Sequence, residues 1–389
     1  MLYLFCRESA KNKVQKRDTL NNLDENELKS LLLEQVEKYP LSQVSDMLKF
    51  LYQNEFGCEH MAPDEMYSLN MIVEEAKMFS EKQIDGDLFE YIGNGMCRIS
   101  LRILQQSSLA PDTLNRFFMH TAGQLVRSIE GFEQKAAVLA GLCEQKLLPF
   151  ESGDMKKKLD ECRAAGYPPV RHSPQYRAAY APSYRVVSKA FCDFLPLFCR
   201  IDERRQQEKS VTVAIDGNSA AGKSSLAKLL KSIYACNVFS MDDFFLRPTQ
   251  RTPGRLAEPG GNIDYERFGE EIIEPLKSGK TFAYAPYDCE TEKLSAPVLV
   301  VPNPVTIIEG VYSLHLNFIS AYDIKVFLSL DKTEQCRRLL ARNADLYDSF
   351  INEWIPMENH YFDDFKIADK CDFVFDTGVR HVHKDGGIA

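Results

Sequence analysis

The stretch Gly217-x-x-x-x-Gly222-Lys223-Ser224 constrains what this chain can fold into more than any other. It follows the β-branched, apolar run 211–215 and leads into the helix-forming run Leu226-Ala-Lys-Leu-Leu230. Strand, glycine-bounded turn and helix, in that order, form the context of a phosphate-binding loop. Glycine lets the backbone curl round an anion with no Cβ in the way. The main-chain N–H groups of Gly217, Asn218, Ser219, Ala220, Ala221, Gly222, Lys223, Ser224 and Ser225 can then face phosphate, helped by the positive end of the helix. Lys223 is expected along the β and γ phosphates, and the Ser224 hydroxyl on Mg²⁺. At average glycine usage the bare pattern arises by chance in roughly one chain in a hundred of this length. The flanking strand and helix lower that figure, so a turn that binds nothing is the weaker reading. ATP and Mg²⁺ are the expected cofactors.

A chain of 389 residues should hold two domains. The pattern predicts an α/β doubly wound parallel sheet carrying the loop, preceded by a mostly α-helical domain. The predicted boundaries are 1–165 for a helical accessory domain, 166–209 for a Pro/Tyr/Arg-rich connector with a linking helix, and 210–389 for the P-loop domain. In the first part Leu28, Leu31, Leu32 and Val36 share one helical face, and Val44, Met47, Leu48 and Leu51 another. Further helices are expected at 65–79, 111–129 and 132–148, with one strand near 96–103. The connector holds Pro168, Pro169, Pro174 and Pro182 among tyrosines and arginines, which bars a continuous helix. A helix is expected at 186–198. Beyond residue 210 strands are expected at 211–215, 237–241, 298–301, 305–308, 324–330 and 373–375, and helices at 223–234, 265–276, 332–343 and 348–364.

Net charge −9 disfavours nucleic acid and anionic membrane as partners, since both need a basic field. Eleven scattered cysteines with no C-x-x-C pair suit free thiols in a reducing compartment. The apolar start Met1–Cys6 is too short for a signal segment and no later stretch has the length of a membrane span, so a cytoplasmic protein is expected. The expected partner is a small-molecule hydroxyl acceptor, with a homo-oligomer left open.

Asp242 and Asp243 sit just past the predicted strand 237–241. A carboxylate at that edge, beside the loop, can orient an acceptor hydroxyl and take its proton, whereas an isolated aspartate there would more simply cap a turn. Glu309 ends the apolar run 305–308 at the usual place for an acidic partner of Mg²⁺. Arg338 and Arg342 stand four residues apart on the helix after Leu330, with Arg337 beside them, and could clamp a transferring phosphoryl group. A solvated helix face is the plain alternative.

With those residues in place, 211–377 resembles the uridine kinase/phosphoribulokinase family of P-loop small-molecule kinases. The resemblance rests on Gly217–Ser225, Ser240-Met-Asp-Asp-Phe-Phe245, Gly261-Asn-Ile-Asp-Tyr265, Ala285-Pro-Tyr-Asp288, Ile307-Ile-Glu-Gly310 and the Arg337-Arg338 helix. It implies Asp242 as catalytic base, Asp264 at ribose hydroxyls, Tyr287 beside a base, and Arg338 in a lid. It departs after Asp288, where Cys289-Glu-Thr-Glu-Lys293 replaces the usual histidine, and at 343–350, where further lid arginines are missing. The implied activity is ATP-dependent phosphorylation of a small-molecule hydroxyl, with a nucleoside as the leading acceptor. The alternative is an ATP-binding sensor without transfer; a GTPase switch is disfavoured because no Asn-Lys-x-Asp motif occurs. In the first part, Cys58, Glu59 and His60 read as a polar helix end rather than a metal site. Arg171, His172 and Arg185, with neighbouring tyrosines, suit an interface better than a phosphate site, and Trp354 reads as a packing anchor.

Overall fold

The apolar run ahead of the glycines becomes the central strand of a five-stranded parallel sheet. The structure is a computed structural model that describes residues 25–58, 64–79, 87–124, 128–208 and 210–378. These fall into two compact units, 25–202 and 203–378. The sheet of the second unit comprises β1 (Val211–Gly217), β2 (Cys236–Ser240), β3 (Val305–Glu309), β4 (Ile324–Ser329) and β5 (Phe373–Asp376). Their order across the sheet is β5-β4-β1-β3-β2, every pair parallel. The inner strands β1 and β3 are almost wholly buried, as near-continuous Val/Ile runs in a sheet covered on both faces must be. Helices α1 (Lys223–Ile233), α2 (Lys332–Arg342) and α3 (Ile355–Phe365) belong to the same unit. The α1 stripe Leu226, Ala227, Leu230 and Ile233 is buried, the i, i+1, i+4, i+7 face of an amphipathic helix. Asp331 caps α2 by accepting the Thr333 and Glu334 N–H groups at 2.9 and 3.1 Å. Phe239, Met241, Phe244, Phe268, Ile308 and Tyr361 are core residues with 2 % exposure or less.

Register brings the carboxyl edge of the sheet into line. Glu309 pairs with both Ile215 and Ser240, so Asp216-Gly217, Glu309-Gly310 and Met241-Asp242 emerge side by side. The predicted strand at 298–301 forms, as Val298–Val300, but outside the parallel sheet. It pairs antiparallel with Phe282–Tyr284 in the long β2–β3 connection. With Leu299 71 % exposed, it is an edge ribbon, followed by Pro302 and Pro304, which lack ladder donors.

The first unit is mostly helical, as expected: Glu25–Lys38, Val44–Phe56, Glu65–Ala76, Pro111–Gln124, Ile129–Glu144 and Ser152–Ala164. It also contains an antiparallel sheet of Phe89–Gly93, Met96–Ser100 and Tyr184–Ser188. The helix expected at 186–198 is therefore corrected. Residues Tyr184–Ser188 are a strand, and helix resumes at Lys189–Asp193 and Leu195–Gln207. The Val186-Val187 pair is β-branched and pairs with Arg98 and Cys97, which outweighs helix periodicity over so short a run. Arg98 is 4 % exposed and donates through Nε and Nη1 to Gln53 (2.9 Å), Gln35 (3.1 Å) and Glu90 (3.3 Å), with the Phe50 and Tyr184 rings alongside, while its Nη2 has no hydrogen-bond partner among the described residues. His172 bridges Asp46 (2.9 Å) and the Tyr184 hydroxyl (2.6 Å), while Arg185 grips Glu75 through both terminal nitrogens at 2.9 Å. The His172 and Arg185 side chains are thus taken up inside this unit. Glu59 and His60 lie outside the described residues, and Cys58 is buried. Among the described residues the ten cysteines are free thiols, and no helix is long and apolar enough to cross a membrane.

Candidate active site

The loop that follows β1 is shaped by close approach. Gly217 has φ +137°, and a Cβ there would stand 2.1 Å from the Leu328 carbonyl oxygen of β4. Glycine alone fits that conformation and that gap. Gly222 has φ +97° and opens α1 with open space around it. At Gly310, after β3, a Cβ would meet the Met241 side chain at 2.9 Å, so the strand ends carrying Glu309 and Asp242 can lie close. Asn218 ties the loop to β4, its side-chain oxygen accepting the Leu330 N–H at 3.1 Å.

Lys223 is folded over this loop, donating to the carbonyls of Gly217 (2.7 Å) and Asn218 (3.0 Å). The Ser224 hydroxyl donates to Glu309, lying 3.0 Å from each carboxylate oxygen. Burial pushes the Glu309 carboxyl above its usual range, against the pull of Lys223 and Ser224. A hydroxyl beside a carboxylate, with room for phosphate oxygens and water, is the hard-oxygen set that suits Mg²⁺, so Ser224 and Glu309 fit that ion. A cavity of about 520 Å³ lies over the loop, lined by Ser219, Ala220, Lys223, Ser224, Asp242, Glu309 and Arg342 among others. Seven of the residues singled out in the sequence thus meet in one place: Ser219, Ala220, Lys223, Ser224, Asp242, Glu309 and Arg342.

A second cavity of about 250 Å³ shares Asp242 and Val311 with the first. Asp242 therefore faces both. Its neighbour Asp243 is spent on structure: its carboxylate accepts from the Tyr284 hydroxyl at 3.1 Å, and its carbonyl from Arg267 at 2.6 Å.

Other expected site residues sit apart. Asp264 is 2 % exposed and caps the helix Tyr265–Phe268 through the Arg267 N–H, also accepting from Gln250 at 2.9 Å. Tyr287 is 3 % exposed and its hydroxyl accepts from Arg251 at 2.8 Å. Neither lines either cavity. Arg338 reaches the loop from α2: it donates to the Ala220 carbonyl at 3.3 Å and the Thr377 carbonyl at 2.6 Å, with Glu334 holding its Nε at 2.8 Å. Its role here is to brace the loop; Arg342 is the arginine of that helix that lines the cavity. Trp354 packs edge-on against Phe350 and also lines the second cavity.

Several residues around the loop escaped the sequence reading. Glu358 of α3, 3 % exposed, accepts from both the Ser219 N–H (3.1 Å) and the Ser219 hydroxyl. Gln335 donates to the Ser219 carbonyl at 3.1 Å, and the Thr377 hydroxyl to the Ala221 carbonyl at 2.9 Å. Asp216, fully buried, accepts from the N–H groups of Gly217 (2.8 Å) and Leu314 (3.0 Å) and from the Tyr361 hydroxyl (2.8 Å). Burial raises its carboxyl to about 6 despite those donors and nearby Lys223.

No protein-family model matches the chain. It is 30 % identical over 116 residues to a phosphoribulokinase from Synechocystis sp., a match covering 28 % of this chain and 34 % of that protein. The chain thus spans about a third of the length of that curated relative. A possible uridine kinase from Bacillus stearothermophilus matches at 23 % identity and a TM-score of 0.35, covering 46 % of this chain and 99 % of that one. D-glycerate 3-kinase from Cryptococcus neoformans matches at 16 % identity and a TM-score of 0.32, covering 43 % of this chain and 87 % of that one. The loop and the parallel sheet lie in the same unit, and the likeness to a phosphoribulokinase supports reading residues 211–377 as similar to uridine kinase/phosphoribulokinase-like P-loop kinases.

Proposed function

We propose that the second unit transfers the γ-phosphoryl group of ATP to a hydroxyl of a small molecule. The observation that carries this reading is Asp242, the one carboxylate lining both the loop cavity and the adjoining smaller cavity. An acceptor in the smaller cavity presents its hydroxyl to Asp242, which takes the proton as the oxygen bonds to the γ-phosphorus and the bond to the ADP oxygen breaks. Loop N–H groups other than those of Gly217, Asn218, Ser219 and Ala221, which bond within the protein, hold the phosphates, and the Lys223 ammonium exchanges its two carbonyl partners for phosphate oxygens. Arg342, lining the same cavity, offsets charge on the group in transfer. Ser224 and Glu309 would hold Mg²⁺, which would neutralise charge on the phosphate oxygens when bound. A nucleoside is the acceptor placed first by the family resemblance.

The test is ADP formation from ATP and Mg²⁺ against a panel of nucleosides, sugars and other alcohols, with Asp242→Asn beside the native chain. Transfer with Asp242 as base requires the variant to lose about 10²- to 10⁴-fold in turnover while keeping its ATP affinity. A sensor that binds ATP without transferring it shows no acceptor-dependent ADP and no effect of the substitution on ATP binding.

A further inference from the structure

The smaller cavity carries information about what can enter it. Its walls are apolar along Phe245, Leu256, Val311, Trp354 and Met357. Its charged groups are Asp242, Glu353 and Glu358, and no lysine, arginine or histidine is among the described residues that line it. The phosphate-side cations Lys223 and Arg342 line the other cavity. A phosphate or carboxylate brought here would leave water to face like charges, with no cation to repay its desolvation.

One polar atom in this cavity lacks a counterpart, although the amide that carries it bonds to the Tyr312 side chain on the same wall. Asn262 is 7 % exposed and lines the cavity, and its side-chain oxygen is buried with no hydrogen-bond partner. A buried acceptor left without a donor costs stability and calls for a reason. The backbone fixes its position. Its carbonyl accepts the Leu246 N–H at 3.1 Å, Ile263 forms a bridge with Phe245, and a Cβ on Gly261 would clash with the Arg255 carbonyl at 1.8 Å. The backbone is therefore held at the wall, and the bond to the Tyr312 side chain keeps the amide there.

We infer that the cavity selects an uncharged or cationic alcohol with a largely apolar body, which donates an N–H or O–H to Asn262 and carries no phosphate or carboxylate. This rests on the phosphoryl-transfer reading for the hydroxyl at Asp242, but the selection itself follows from the walls. Trp354 is the only tryptophan in the chain and lines this cavity, so its emission reports occupancy without any turnover.

The experiment titrates the tryptophan emission of the full chain, with ADP and Mg²⁺ present, using uridine, adenosine and choline as uncharged or cationic probes. Ribose 5-phosphate and D-glycerate are the anionic ones. The expected result is a saturable change with at least one of the first three and none with the anions at about tenfold higher concentration. Asn262→Ala is expected to weaken that binding about tenfold, the effect of one lost hydrogen bond. An anion that binds as tightly as the best neutral probe overturns the inference, as does silence from all three uncharged and cationic probes. ADP formation on the same panel separates the two claims. Emission changes without acceptor-dependent ADP sink the kinase reading and leave the selection standing; ADP formed fastest with an anion does the reverse.

Discussion

Gly217 and Asp216 carry the tightest constraints around the loop, and they make opposite kinds of demand. At Gly217 the constraint is steric. Gly217→Ala would put a methyl 2.1 Å from the Leu328 carbonyl oxygen at a φ that alanine resists, and should destabilise the second unit by about 3 kcal/mol or more, read from urea denaturation. At Asp216 the constraint is electrostatic. With its carboxyl raised from 3.8 to about 6 by burial, the folded chain keeps a proton that the unfolded chain has released. Stability from this group is full below about pH 4 and is lost as pH rises through 6, a contribution of about 3 kcal/mol. Asp216→Asn removes that slope. The stability of the native chain minus that of the variant should therefore fall by about this amount between roughly pH 4 and pH 7.5. A constant difference across that range would show that Asp216 is already ionised in acid. The loop residues Gly217 to Ser225 were legible in the sequence because glycine spacing and a neighbouring strand and helix are local signals. Glu358, Gln335 and Thr377 were not. They meet the loop from 139, 116 and 156 positions away, and no local pattern announces such contacts.

Elements were readable where their periodicity ran long enough. The stripe Leu28, Leu31, Leu32, Val36 falls on a helix face that is buried except at half-buried Val36, and the stripe Val44, Met47, Leu48, Leu51 on a buried one. Residues 186–188 of the strand Tyr184–Ser188 were read as the start of a helix because five residues cannot establish a period of two, and the pairing partner Met96–Ser100 lies far back in the chain. That sheet holds a buried cation at its centre. Arg98→Ala strips Glu90, Gln35 and Gln53 of their partner and should destabilise the first unit by about 3–5 kcal/mol, measured by loss of far-UV circular dichroism in urea. A change below about 1 kcal/mol would mean that those groups re-pair among themselves or with water. The ribbon Phe282–Tyr284/Val298–Val300 teaches the same lesson at an edge: apolar content marks a strand but not which sheet it joins.

Across the whole molecule, acid should act unequally. In the first unit burial lowers His172 to about 4 and keeps it neutral. Its neighbour Asp46 is pushed up by burial but pulled further down by bonds from His172 and Ser173. Both groups hold fewer protons folded than unfolded, so both withdraw stability as pH falls, His172 from about 6.5 toward 4. In the second unit Asp216 gains stability in acid, while His315, lowered by burial to about 4, loses it. The two oppose each other there. At about pH 5 the first unit should therefore unfold at lower urea, with helical signal falling before the emission of Trp354 in the second unit moves. Coincident transitions at that pH would refute this ordering.

Glu358 joins the two chambers of the second unit in a way that reaches beyond stability. One of its faces accepts from Ser219 of the phosphate loop, and the same side chain forms part of the smaller cavity's wall. If both chambers are loaded as proposed, Glu358, through Ser219, is a second carboxylate besides Asp242 by which each should feel the other. Linkage then demands reciprocity: the factor by which nucleotide alters acceptor affinity is the factor by which acceptor alters nucleotide affinity. On the phosphoryl-transfer reading, Glu358→Gln is the substitution that should bring the two binding constants toward independence.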